Sequence, residues 1–152
     1  MKPISITLYG LFFLLLTSCS TKPEPFAYGK DNCHTCKMGI MDPKFGTELI
    51  TTKGKIYKFD DVSCMQHFLK SNTLEPKEIS QQLVINFEKE NDFLSLEEAV
   101  FILSPSVKSP MGSHAAAFAS REKAEKMNAA LNGELLSWKE LAGKLEKKKK
   151  KY

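Results

Sequence analysis

The sequence predicts an α+β domain of two related small halves, each a set of short strands with one packed helix. A cleaved lipoprotein signal and a flexible tether are expected to precede it. Three observations carry that expectation. Strand-like runs bounded by turn residues recur along the chain. A capped amphipathic helix pattern follows a strand in both halves. Phe59-Asp60 in the first half is echoed by Phe118-Ala119-Ser120 in the second, with Met38-Gly39 and Met111-Gly112 upstream of them.

Residues 1–18 have the layout of an export signal. Lys2 is the positive end, Ile4 to Leu16 is apolar with few breaks, and Leu16-Thr17-Ser18-Cys19 closes it. The apolar run falls short of the roughly 20 residues that a membrane span needs. A signal ending in a cysteine after small residues is similar to the lipobox of bacterial lipoproteins, whose cysteine thiol receives diacylglycerol. Cys19 is therefore the expected lipidation site, and the protein is expected on a cell membrane, facing the periplasm or exterior. Ser20 to Lys30 holds Pro23 and Pro25 and no apolar periodicity, so residues 19–31 read as the lipidated cysteine and a tether. Extended, it would reach about 30 Å.

The domain itself, residues 32–146, opens with Cys33-His34-Thr35-Cys36-Lys37-Met38-Gly39. Gly46 to Thr52, the Lys53-Gly54 turn and Lys55 to Phe59 predict a β-hairpin. Asp60 or Asp61 caps a helix whose Val62, Met65, Phe68 and Leu69 recur at helical spacing. Gln82 to Phe87 is a further strand. Phe93 to Leu103 is apolar, but Glu97 and Glu98 break its alternation and leave strand and helix both open. Ser104 to Ser109 is a loop leading to Pro110-Met111-Gly112. A strand near Ala115 to Phe118 follows, then a helix from Ser120 as N-cap to Leu131. Gly133 is expected to supply the left-handed residue that ends it. Glu134 to Ser137 is a short strand and Trp138 to Leu145 a last amphipathic helix. Residues 147–152 read as a solvated, disordered basic tail.

The formal net charge is +4, and loss of the signal removes only Lys2 from it. Much of the excess sits in Lys147 to Lys151. No basic stripe interleaved with aromatics supports nucleic-acid binding.

Once Cys19 is lipidated, Cys33, Cys36 and Cys64 remain. An odd number of thiols in an oxidising compartment cannot pair completely within one molecule, and a bound metal is the obvious protector. The C-x-x-C spacing serves three chemistries. Zinc takes four donors, mostly thiolate and imidazole, and Cys64 with His67 at i and i+3 could complete such a set in a zinc-stabilised interaction module. A thiol-disulfide oxidoreductase wants its thiolate at a helix N-terminus within a βαβ framework, whereas this motif follows a Pro-rich segment. Cu(I) takes two or three soft donors and accepts thioether sulfur, which Met38, two places after Cys36, can supply. His114, three residues after Met111, is a further candidate donor. Met41, Met65 and Met127 read as packing.

Taken in order, these residues resemble the NosL lipoproteins, copper chaperones that accompany nitrous oxide reductase. The likeness rests on the lipobox, on Cys36-Lys37-Met38, on Lys58-Phe59-Asp60-Asp61-Val62, and on Pro110-Met111-Gly112 with Ala117-Phe118-Ala119-Ser120. It implies an α+β fold of two related halves and a Cu(I) site made from Cys36 and Met111, with Met38 or His114 in the remaining place. Lys37 stands where many members have glycine, and Cys33 and Cys64 are additions; a site using Cys33 with Cys36 also suits Cu(I). The implied role is transport with no bond-making step, so the protein is expected not to be an enzyme. The implied recipient is nitrous oxide reductase or its maturation complex. Monomer and dimer are both left open.

Overall fold

A computed structural model describes residues 22–149. Cys19, the signal and the last three residues of the tail lie outside the described residues.

The first half is built from β1 (Thr47–Thr51), β2 (Ile56–Phe59), α1 (Val62–Lys70) and β3 (Ile79–Ile85), with β4 (Phe93–Ser95) added at the edge. They form an antiparallel sheet in the order β2-β1-β3-β4. The hairpin register sets Thr47 opposite Phe59 and Ile50 opposite Ile56, as the sequence leads one to expect. Central strand β1 is buried along its whole length because both faces are covered. On one face Tyr57 and Phe59 meet α1, where the Phe68 ring lies 4.8 and 5.4 Å from theirs. The period-2 alternation of strands puts Glu48 and Lys58 on the other face. There a strap of residues 24–31 lies over them. Glu24 donates its N–H to Glu48, and Lys58 Nζ reaches the Pro25 carbonyl and the Asp31 carboxylate.

That strap corrects the tether reading. Phe26 is buried, stacks on Tyr28 and Phe93, and donates its N–H to the Asn91 side chain. A single buried aromatic with a salt bridge beside it leaves no periodic trace, so a Pro-rich composition disguises a docked segment.

The second half runs β5 (Val100–Leu103), β6 (Ala115–Phe118), α2 (Arg121–Leu131), β7 (Glu134–Leu136) and α3 (Trp138–Lys149), with strand order β6-β5-β7. Hairpin, helix and return strand thus repeat the connectivity and strand order of β1, β2, α1 and β3. Phe59 and Phe118 each end the second strand, and each is followed by a helix cap at the second residue, Asp61 and Ser120. The Met-Gly part of the echo does not belong to this duplication. Met38 precedes β1, whereas Met111 lies inside the β5–β6 connection, whose counterpart is the tight turn after Thr51. Side chains of the second sheet alternate between two cores. Phe101, Ala115, Ala117 and Leu136 join the large core with Trp138 and Leu141 of α3, while Ile102, Ala116 and Phe118 pack with Ala124 of α2.

Three local expectations are revised. Phe93 to Leu103 resolves into two strands, because Glu97 and Glu98 occupy the turn between them. The left-handed residue after α2 is Asn132, at φ 46°, and its N–H caps back to the Asn128 carbonyl. Gly133 serves a different need: a Cβ there would stand 2.6 Å from Ile102 and 2.7 Å from the Leu103 carbonyl, so glycine permits the close approach to β5. Helix α3 continues to Lys149, past Leu145 and into the region read as a tail, since lysines propagate a helix well.

Candidate metal centre

The first component is the loop that carries Cys33 and Cys36. A β-bridge between Asn32 and Gly39 closes it at the base. Inside, the Cys33 N–H donates to the Met38 carbonyl at 2.8 Å and the Lys37 N–H to the Cys33 carbonyl at 3.0 Å. Lys37 sits at φ 66°, a left-handed conformation that glycine adopts freely and lysine adopts at a cost. The loop docks on edge strand β2 through the His34 N–H and the Lys58 carbonyl, and on α1 through Thr35 Oγ and the Cys64 carbonyl. The His34 ring packs edge-on to Tyr57 and Phe68.

Cys64 rides in the first turn of α1, which Asp61 caps by accepting the Ser63 N–H. Loop and helix together bring the sulfurs of Cys33, Cys36 and Cys64 within 4.8 Å of one another, all as free thiols. The centre of an equilateral triangle of that side is about 2.8 Å from each corner, against metal–sulfur bonds of about 2.3 Å. Small side-chain movements would close such a site on an ion.

The second component is the β5–β6 connection. Val107 anchors it in the smaller core, and Gly112, at φ 67°, turns the chain after Met111. The carboxylate of Asp61 ties this connection to the cysteine helix. Its Oδ2 accepts the Met111 N–H at 3.3 Å and the Ser113 hydroxyl at 3.0 Å, while Oδ1 caps α1. One buried side chain thus fixes Met111 against the helix that presents Cys64.

The result is a cavity of about 420 Å³ whose wall includes Cys36, Cys64, His67 and Met111. Cys33 is fully buried and Cys64 nearly so, Cys36 is half-buried, and Met111 is 40% exposed. Two sequence candidates stand elsewhere. Met38 is 50% exposed and off the cavity wall, and its backbone serves the loop: its carbonyl accepts the Cys33 N–H and its N–H donates to the Cys36 sulfur. His114 is turned away by its own left-handed backbone (φ 59°), with Nδ1 2.8 Å from the Val107 carbonyl on a separate cavity beside Leu103 and Pro105. Met41, read as packing, is 69% exposed.

The electrostatics favour one thiolate in the metal-free cluster. The Cys64 thiol donates to the sulfur of Cys33, and against the opposing cost of burial this, with the N–H groups of Cys36 and Asp60, holds Cys33 down to about 4. Cys64 is pushed far up by that same donation and by burial, and Cys36 is raised chiefly by burial. Asp60, buried with one carboxylate oxygen unpartnered, is raised to about 6 by burial, then by the Cys33 thiolate and Asp61.

Sequence reasoning read Asp61 only as a cap and did not foresee its hold on Met111. The available signal was the Asp60-Asp61 pair itself, since a helix cap needs only one carboxylate.

A duplicated ββαβ domain with three clustered free cysteines, two of them on a cavity that a methionine also lines, defines a protein equipped for a soft metal ion. Cys33 and Cys36 sit in a turn between Asn32 and Gly39, and not at a helix N-terminus, where a dithiol oxidoreductase places its thiolate. Comparison with known families gives the class: the NosL family matches residues 27–145, and the chain belongs to it. Among solved structures, the chain is similar to the copper chaperone NosL from Shewanella denitrificans, with 25% identity and a TM-score of 0.56, over 78% of this chain and 96% of that one. No curated protein matches.

Proposed function

We propose that the protein is a membrane-anchored carrier of Cu(I) that works outside the cytoplasm and supplies copper for assembly of nitrous oxide reductase. The observation that carries the reading is the convergence of Cys33, Cys36 and Cys64 within 4.8 Å, with Cys36 and Cys64 on the cavity that Met111 also lines. Membership of the NosL family, and the copper-chaperone role of the Shewanella denitrificans relative, support copper as the cargo. Thiolate and thioether donors select the reduced, soft ion, and a sulfur-only set protects it from oxidation. Cys36 and Met111 reach the surface, so an incoming donor can replace them one at a time and no covalent bond of the protein changes. The activity is exchange of ligands, without catalysis.

Lipidation of Cys19 would concentrate the carrier at the membrane, each buried methylene adding about 0.8 kcal/mol. Because Glu24 is already held on the domain, only four residues lie between it and Cys19, a span of five residue steps. At most about 3.6 Å per residue, the domain would ride within roughly 18 Å of the lipid, closer than the tether reading allowed.

Anaerobic competition against a strong Cu(I) chelator tests the cargo. Cys36→Ser and Met111→Ala should each weaken binding; wild-type affinity in both would remove the site. Restoration of nitrous oxide reductase activity in a carrier-deficient cell by the wild-type gene, and not by Cys36→Ser, tests the recipient. A second reading has its own support: His67 lines the same cavity and would complete a Cys33, Cys36, Cys64, His67 zinc set. One tightly held zinc in the isolated protein, with unfolding on chelation, would favour that interaction module over the carrier.

A further inference from the structure

We infer that each chain has room and donors for two Cu(I) ions: an inner one among Cys33, Cys36 and Cys64, and an outer one in the adjoining cavity between Cys36, Met111 and His67, with the Cys36 thiolate bridging them. This rests on the copper reading but does not follow from it, because a one-ion carrier needs only two or three of these donors.

The placement of the donors is the first reason. Cys33 and Cys64 are 0% and 3% exposed, while Met111 is 40% exposed and His67 lies on the open side of α1. An ion held in the triangle of three sulfurs leaves Met111 and His67 unused, although both face the cavity beside it. Cys36, half-buried, belongs to the triangle and to the cavity wall. It is placed to serve both ions.

Space is the second reason. The cavity of about 420 Å³ far exceeds the roughly 30 Å³ share of a water molecule. An ion there displaces solvent, with no rearrangement of the core.

The test is an anaerobic Cu(I) titration of the detergent-solubilised full chain, with X-ray absorption and sedimentation on the loaded protein. Two equivalents per monomer and a short Cu···Cu vector are expected. Met111→Ala with His67→Ala, two exposed positions that leave the fold intact, should bind one equivalent and lose the vector. One equivalent in the wild type overturns the inference and leaves the carrier reading standing. No bound copper overturns both. Two equivalents that persist in the double variant, or that appear only with a copper-dependent dimer, also overturn it.

Discussion

Replacing Asp61 with asparagine separates the two tasks of one carboxylate. Asparagine caps helices as well as aspartate does, so the bond from the Ser63 N–H survives. The other oxygen becomes an NH₂ group and can no longer accept the Met111 N–H or the Ser113 hydroxyl. The hydroxyl can turn and accept instead, but the amide of Met111 then faces a donor. Leaving a buried donor unpaired costs about 1–3 kcal/mol. Against a total stability of roughly 5–15 kcal/mol the variant still folds. Urea titration should therefore show a lower midpoint with an unchanged slope. If the loss falls on the Met111 loop, Cu(I) affinity drops by at most the same free energy, about five- to 150-fold. The decisive comparison is the Met111→Ala background, in which the additional Asp61→Asn change should leave affinity where it was. An unaltered urea midpoint, or an equal affinity loss with and without Met111, would refute the claim that Asp61 acts through that methionine.

Other expectations can be read by thermal or urea unfolding. Lys37→Gly should stabilise by up to about 1 kcal/mol by relieving a left-handed backbone, while Lys37→Val should destabilise, because a β-branched side chain tolerates φ 66° poorly. Gly133→Ala should cost about 1–3 kcal/mol through contact with Ile102 and the Leu103 carbonyl, whereas Asn132→Gly, at the truly left-handed position, should be tolerated. Glu48, fully buried and raised to about 7 chiefly by burial, binds its proton more tightly folded than unfolded. Its contribution is therefore present below about pH 4 and is lost as pH rises through 7, so Glu48→Gln should stabilise at pH 8, by on the order of 3 kcal/mol, and far less at pH 4. A variant no more stable than wild type at pH 8 would contradict this.

The parts of the fold legible in the sequence are those with local causes. The β1–β2 hairpin follows from two β-rich runs around Lys53-Gly54, and both capped helices follow from Asp61 and Ser120 with apolar residues at helical spacing. The duplication was also traceable, through Phe59 and Phe118 before their caps. What stayed hidden depends on contacts between distant segments. Phe26 docks on Phe93 across 67 residues, and nothing beside it in the chain announces this. Met38, half exposed, and His114, bonded to the Val107 carbonyl, both stand off the wall that Cys36 and Met111 share, a placement set by loop contacts that the spacing does not encode. Cys33 and Cys64 read as additions, yet they form the buried floor of the cluster. Cys64 was a candidate, beside His67, for completing a zinc set, but spacing alone does not show that its sulfur meets both of the others.

The two sides of the site are held with unequal firmness, and this bears on how cargo would leave. Cys33 and Cys36 sit in a loop clamped by a β-bridge and by bonds to β2 and to the Cys64 carbonyl, and Cys64 is part of a helix packed on the sheet. Moving any of them disturbs secondary structure or the large core. Met111 stands instead on a long surface connection tied to the cysteine helix by the Asp61 carboxylate, and its side chain is already 40% exposed. Loops with few buried contacts open at a fraction of the global unfolding free energy. Under the carrier reading, the thioether side is the half that swings away as a recipient's donor enters, while the thiolates keep the ion until the exchange is complete. A rigid floor with a hinged wall satisfies both demands on a carrier: tight holding between partners and fast transfer on contact.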